Sequence, residues 1–265
     1  MDIELYSRDH YLIALSGALP AIVAMLYFDW LDRKRPEPWG KRYLVTFVGM
    51  LSVVPVLILG AMIEMTLGPR APEPGTYEHA AYMSFGLAAG LEEACKITAV
   101  FIVVWRSRWF DERMDGLVYG ARAGLGFALV ENCLYIWQAA IDGHAVTVWV
   151  LRALLAVPGH AIWSGMMGYF AARRRFDHAG IGLFGGYLIA VALHGLYDFG
   201  VFVGPPLRAD GKDALAGAAL LLPFVITIIG WRAVRRMART ALHLDDAAHA
   251  HAQALSTAST AQPGR

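Results

Sequence analysis

The sequence predicts an all-α protein, a polytopic transmembrane bundle of about seven helices, and three observations carry that prediction. Of 265 residues, 57% are hydrophobic and 17% charged, against about 25% charged in a typical soluble domain, and the mean hydropathy is +0.45. The apolar residues gather into runs of about 20 or more, the length a helix needs to cross a hydrocarbon layer of about 30 Å. The basic residues fall in short clusters between those runs. Lipid cannot satisfy exposed backbone groups and the runs are too long for barrel strands, so helices are the expected form.

The first run covers about 11–29. The residues ahead of it, with Asp2, Glu4 and Asp9 against Arg8, do not make the basic leader of a cleaved signal, so the run is expected to remain as a span. Six more follow at about 43–65, 80–105, 117–140, 146–172, 180–203 and 214–234. The links are short, so residues 1–239 are expected to form one transmembrane domain. Residues 240–265 turn to Ala, Ser, Thr, Gln and His without a large apolar face, which predicts a disordered cytoplasmic tail. His243, His249 and His251 in that tail follow no fixed ligand pattern. Cys95 and Cys133 both lie in apolar runs and read as small buried residues rather than a disulfide framework.

Charge sets the expected orientation. One set of links carries Arg33, Lys34, Arg35, Lys41, Arg42, Arg106, Arg108, Arg113, Arg173, Arg174 and Arg175, and the end of the last span adds Arg232, Arg235, Arg236 and Arg239. The opposite links carry Arg8, Arg70, Arg208 and Lys212. The positive-inside bias therefore predicts the N-terminus outside and the C-terminus in the cytoplasm. Clusters confined to loops give no basic face for nucleic acid. The lipid bilayer is the expected partner.

Ionisable groups at membrane depth are costly and point to function. Span 3 carries Glu92, Glu93 and Lys96, span 4 Arg122, Glu131 and Asn132, span 5 Arg152 and His160, span 6 His194 and Asp198. Counting about 1.5 Å per residue from each midpoint puts Glu92, Glu131, His160 and His194 in one layer roughly 5 Å thick. Four helices with matched polar residues predict a single site. Glu92 and Glu93 lie i+4 and i+3 from Lys96, so either meets it on the helix surface, and a purely structural ion pair is the bland reading. His194 and Asp198, also i, i+4, suit a carboxylate that holds an imidazole in one tautomer. Arg122 and Arg152, near span ends, are expected to snorkel and to be structural, as is Glu64. Gly116, Gly120 and Gly124 form a small-residue stripe for close helix packing, and Pro158 frees a carbonyl beside His160.

Such a set can activate water. Either histidines and a glutamate ligate a zinc-like ion with a second glutamate as base, or a glutamate deprotonates water directly and a histidine stabilises the oxyanion. The two-histidine i, i+4 zinc motif of soluble enzymes is absent. A proton-coupled transporter or proton relay would draw on the same residues, although no internal repeat is visible and the span count is odd.

The ordered motifs carry a resemblance. Glu92-Glu93-Ala94-Cys95-Lys96 resembles the E-E-x-x-K motif of the PrsW-type intramembrane proteases, Phe127 to Glu131 followed by Asn132 their F-x-x-x-E element, and His194 to Asp198 their H-x-x-x-D motif. His160 in Pro158-Gly159-His160-Ala161, the lead-in Asp115-Gly116-Leu117-Val118-Tyr119-Gly120, and Asp32-Arg33 with Pro36-Glu37-Pro38-Trp39 are similar too. The resemblance spans about residues 10–205. It implies an intramembrane endopeptidase of a bacterial inner membrane, a hydrolase whose partner is a membrane-embedded protein substrate such as an anti-sigma factor, and kinship with the CAAX-prenyl endopeptidase and bacteriocin-processing membrane proteases. The expected roles are a general base at Glu92 or Glu93 with the other paired to Lys96. Glu131, His160 and His194 hold a zinc ion or stabilise the oxyanion, and Asp198 orients His194. The metalloprotease label and the metal-free glutamate mechanism argued for the relatives both stay open.

Overall fold

The computed structural model describes residues 8–260. Among the described residues it is helical, with no strand. Seven helical units follow in order: α1 (Arg8–Leu31), α2 (Trp39–Leu67), α3 (77–103), α4 (Arg113–Ile141), α5 (Ala145–Asp177), α6 (Gly182–Ala209) and α7, which opens with Asp213–Ala219 and continues from Leu222. Six are long and apolar enough to cross a membrane. The exception is α3, unbroken but with Glu92, Glu93 and Lys96 in its interior. The seven expected runs thus correspond to seven helices, and α3 departs from a simple span because it carries the polar cluster.

The bundle is organised around α4. A capping box starts it: Asp115 Oδ2 accepts the Glu112 N–H at 2.7 Å, and the Glu112 side chain accepts in return from the third residue of the helix, satisfying amides that have no intrahelical acceptor. Every residue from Met114 to Ala128 is buried. Glycine makes that burial possible. A Cβ on Gly116, Gly120 or Gly124 would strike the carbonyl of Gly168, Ser164 or His160 on α5, and one on Gly126 would strike Thr46 on α2. Backbone is therefore in contact with backbone on two sides of α4, as small-residue stripes permit. Outward, Leu57, Ile58, Met62, Leu134, Phe184, Leu188, Ile228 and Ile229 are exposed, as a lipid-facing surface requires.

Polar ties fix the other helices. Arg122, which sequence position suggested would snorkel, is buried instead. It pairs with Asp29 of α1 and reaches Thr46 of α2 at 3.3 Å, while Arg42 meets the same Asp29 at 3.0 Å. The interruption of α1 at Gly17 leaves a carbonyl that accepts from Asn132 Nδ2 at 2.8 Å.

The expectation of disorder from residue 240 is corrected: α7 stays helical through Thr260. Ala is the strongest helix former and gains nothing from a packed core to do so, and the tail is also tied down. Asp245, buried, accepts from the Arg113 and Met114 N–H groups at 3.1 and 3.0 Å and from the Arg113 guanidinium at 3.0 Å. Asp246 pairs with Lys34 and Arg35, and His249 with Glu112. The links rich in basic residues thus share one end of the bundle with this tail. Lys212, Asp210 and Tyr77 meet at the other.

Overpacking a close backbone contact costs about 1–3 kcal/mol, and a Cβ facing Ser164 O has no flexible neighbour to displace. Gly120→Val is therefore expected to lower the apparent melting temperature of the purified protein by several degrees or to abolish its accumulation in membranes. A wild-type melting curve for this variant would contradict the packing described.

Candidate active site

Lys96 is the centre of the polar layer. It is buried completely, yet its ammonium lies 2.9 Å from Glu92 Oε2, 2.9 Å from Glu93 Oε1 and 2.8 Å from His160 Nδ1, with the Phe127 ring centroid 4.2 Å away. The helical spacing of three and four residues delivers both carboxylates to it. Three acceptors match its three N–H donors, the condition under which a buried ammonium is tolerated.

Each histidine is held at both ring nitrogens. Lys96 can only donate, so His160 Nδ1 accepts and its Nε2–H points to Glu131 Oε2 at 2.9 Å. Glu131 in turn receives Arg152 at 2.5 Å, and Arg152 Nε donates to Asn132 Oδ1 at 2.6 Å. On the other side Glu93 is enclosed: Oε1 takes Lys96 and, at 3.0 Å, His194 Nδ1, while Oε2 accepts from Ser164 Oγ at 2.8 Å. That arrangement directs His194 Nε2 toward Asp198 Oδ2 at 3.3 Å and Glu92 Oε2 at 3.9 Å. The Trp163 ring stacks on His194 at 4.0 Å and 14°.

Local backbone geometry aims these groups. Two wide π-helical stretches, Tyr82–Gly90 and Arg152–Ala156, lead directly into the segments bearing Glu92 and His160. Pro158 lacks the N–H that a regular turn would send back to Leu154, which favours the second. Gly195, beside His194, leaves room for the Phe85 ring of the first.

All seven residues singled out from sequence, Glu92, Glu93, Lys96, Glu131, His160, His194 and Asp198, meet in this one network. Arg152 joins it instead of snorkelling, because Glu131 and Asn132 face it across the α4–α5 contact. Trp163 and Ser164 escaped the sequence reading. They stand three and four residues from His160, on the same helical face, and that spacing was the available signal.

Metal donors are present. Ligand atoms of Glu92, His160 and His194 lie within 4.8 Å of one another, and a carboxylate with two imidazoles is a zinc-type set. The sequence expectation placed Glu131 beside the two histidines. In the structure Glu131 is engaged by Arg152 and His160, and Glu92 is the carboxylate grouped with both imidazoles.

Comparison with known proteins follows the same stretch of chain. Residues 37–229 match the profile described as PrsW family intramembrane metalloprotease. Protease PrsW of Bacillus subtilis (strain 168) is 33% identical over 192 residues, covering 71% of this chain and 82% of the relative. Protease PrsW of Geobacillus kaustophilus (strain HTA426) is 32% identical, covering 69% and 77%, and that of Clostridioides difficile (strain 630) 28%, covering 72% and 78%. No solved structure matches.

Removing one partner of a buried ion pair costs about 3–5 kcal/mol because it strands the other charge. Lys96→Met strands two carboxylates, so its apparent melting temperature is expected to fall sharply, and adding Glu92→Gln is expected to restore part of the loss. Equal melting of the single variant and the parent would show that Lys96 does not neutralise the pair.

Proposed function

The chain belongs to the PrsW family of intramembrane proteases, a multi-pass peptidase of a bacterial membrane, and we propose that it hydrolyses peptide bonds of membrane-bound proteins at the Lys96-centred cluster. One observation carries the division of labour. Glu93 is fully enclosed by Lys96, Ser164 and His194, whereas the Glu92 side chain keeps 10% exposure and, among the described residues, has no hydrogen bond engaging its Oε1. Glu92 is the base with a free edge; Glu93 is the support.

In this reading Glu92 Oε1 takes a proton from water, the water oxygen adds to the scissile carbonyl, and the proton then passes to the leaving nitrogen as the C–N bond breaks. Lys96 keeps Glu92 oriented without blocking that oxygen. His194 is fixed by Glu93 and stacked on Trp163; Asp198 keeps the proton on its Nε2, and that N–H would swing from Asp198 to the developing oxyanion. His160 transmits the Arg152–Glu131 pair to Lys96 and so fixes the ammonium. A zinc ion held by Glu92, His160 and His194 would supply Lewis-acid polarisation of the carbonyl at the same place. His160 would then have to release Lys96 or Glu131, whose contacts occupy both of its ring nitrogens. Substrates would be membrane-anchored regulators of the anti-sigma-factor kind, and the basic end of the bundle would face the cytoplasm of the inner membrane, in line with the basic residues gathered there.

Glu92→Gln, Glu93→Gln and His194→Ala, each expressed at parental level, are expected to reduce cleavage of a membrane-tethered reporter by about 100-fold or more. Cleavage at the parental rate in all three would sink the assignment. Metal content measured alongside chelator treatment divides the two chemistries. Stoichiometric zinc with chelator-sensitive cleavage supports the metal version, and full activity of metal-free protein assigns water activation to Glu92 alone.

A further inference from the structure

Two motif stretches noted in the sequence, around 32–39 and 115–120, take no part in the Lys96 network. They fold against each other at the basic end of the bundle. Carboxylate oxygens of Glu37, Asp111 and Asp115 lie within 4.8 Å of one another. Tyr119 donates to Glu37, and the Asp111 and Glu112 N–H groups fix Asp115 Oδ2 at 2.8 and 2.7 Å. Glu37 and Asp115 are buried, and Asp111 faces solvent.

A second observation lies beside the same place. Asp32 is only 2% exposed; its Oδ2 accepts the Glu37 N–H at 3.3 Å, and its Oδ1 is buried without a hydrogen-bond partner. Asp32 thus sits against the Glu37 backbone, at the edge of the three-carboxylate group. The ion pairs of the nearby arginines go to other carboxylates, Arg35 to Glu112 and Asp246, Arg42 to Asp29, Arg113 to Asp177 and Asp245, and Arg35 Nη2 and Arg42 Nε stay without a hydrogen-bond partner. Among the described residues none of the four carboxylates forms an ion pair.

We propose that Asp32, Glu37, Asp111 and Asp115 form a binding site for a hard divalent cation, of the magnesium or calcium class, that clamps the α1–α2 link to the start of α4. An all-oxygen donor set selects such ions over zinc, in contrast to the imidazole-containing set around Lys96. The cation supplies the charge that no ion pair brings to these four carboxylates, and gives Asp32 Oδ1 its missing partner. The clamp does not depend on the proteolytic reading.

Binding is measured on purified full-length protein in detergent, in a Glu92→Gln/His194→Ala background that removes the other donor set. With Mn2+ as the probe, followed by electron paramagnetic resonance, a single bound ion that Mg2+ or Ca2+ displaces is expected. The same ions should raise the melting temperature. Asp111→Asn, at an exposed position that leaves the fold intact, should weaken binding by about tenfold or more, and Glu37→Gln should abolish it. Absence of a bound Mn2+ at millimolar concentration overturns the proposal, since protons alone would then neutralise the cluster. So does binding that both variants leave unchanged.

Discussion

A lysine ammonium with no access to water is the interaction on which the rest of this protein depends. Lys96 survives in the interior because three acceptors converge on it, and two of them come with a support of their own. Glu93 is steadied by Ser164 and His194, and His160 by Glu131 and Arg152. Desolvation makes a partly satisfied network worse than an apolar core, so these residues stand or fall together. The chain from Arg152 through Glu131, His160, Lys96 and Glu93 to His194 alternates donors and acceptors across four helices. Four carboxylates (Glu92, Glu93, Glu131, Asp198) face two fixed cations (Arg152, Lys96) in that layer, and the deficit of positive charge leaves room for a mobile proton or a bound ion, the two currencies of hydrolytic chemistry.

That network imposes a tolerance on the scaffold. Hydrogen bonds near 3 Å between side chains of different helices require the helices to be held to a fraction of that distance. The protein meets the requirement with backbone rather than side chains. Ser164 and His160, both in the network, are also the residues whose carbonyls lie against Gly120 and Gly124. The glycine stripe is therefore part of the geometry of the polar network as well as of the packing, because any side chain there would move the two polar groups of α5 outward.

Much of this was legible in the sequence. Apolar run length and the placement of basic residues located all seven helices, and matched depth along four of them picked out the residues that meet. What stayed hidden follows a pattern. Arg152 was read by its distance from a span end, yet its fate was decided by Glu131 and Asn132 on another helix. Trp163 and Ser164 are unremarkable in an apolar run and acquire meaning only through His194 and Glu93, more than thirty residues away in either direction. The tail from 240 lacks the large apolar face by which packed helices are recognised. Its order comes from alanine propensity and from Asp245 and Asp246, whose partners at 34, 35 and 113 no local pattern announces.

The two wide-turn stretches of α3 and α5 have a geometric consequence. A regular helix advances about 100° per residue, so a π-helical segment works as a phase shifter: it lets the faces before and after it be set independently. On α3 the face that Tyr77 presents to Asp210 and the face that Glu93 presents to Ser164 and His194 are decoupled in this way. Deleting one residue between 82 and 90 would amount to turning one end of the helix by roughly a quarter revolution against the other. The sequence there is free to vary in composition far more readily than in length.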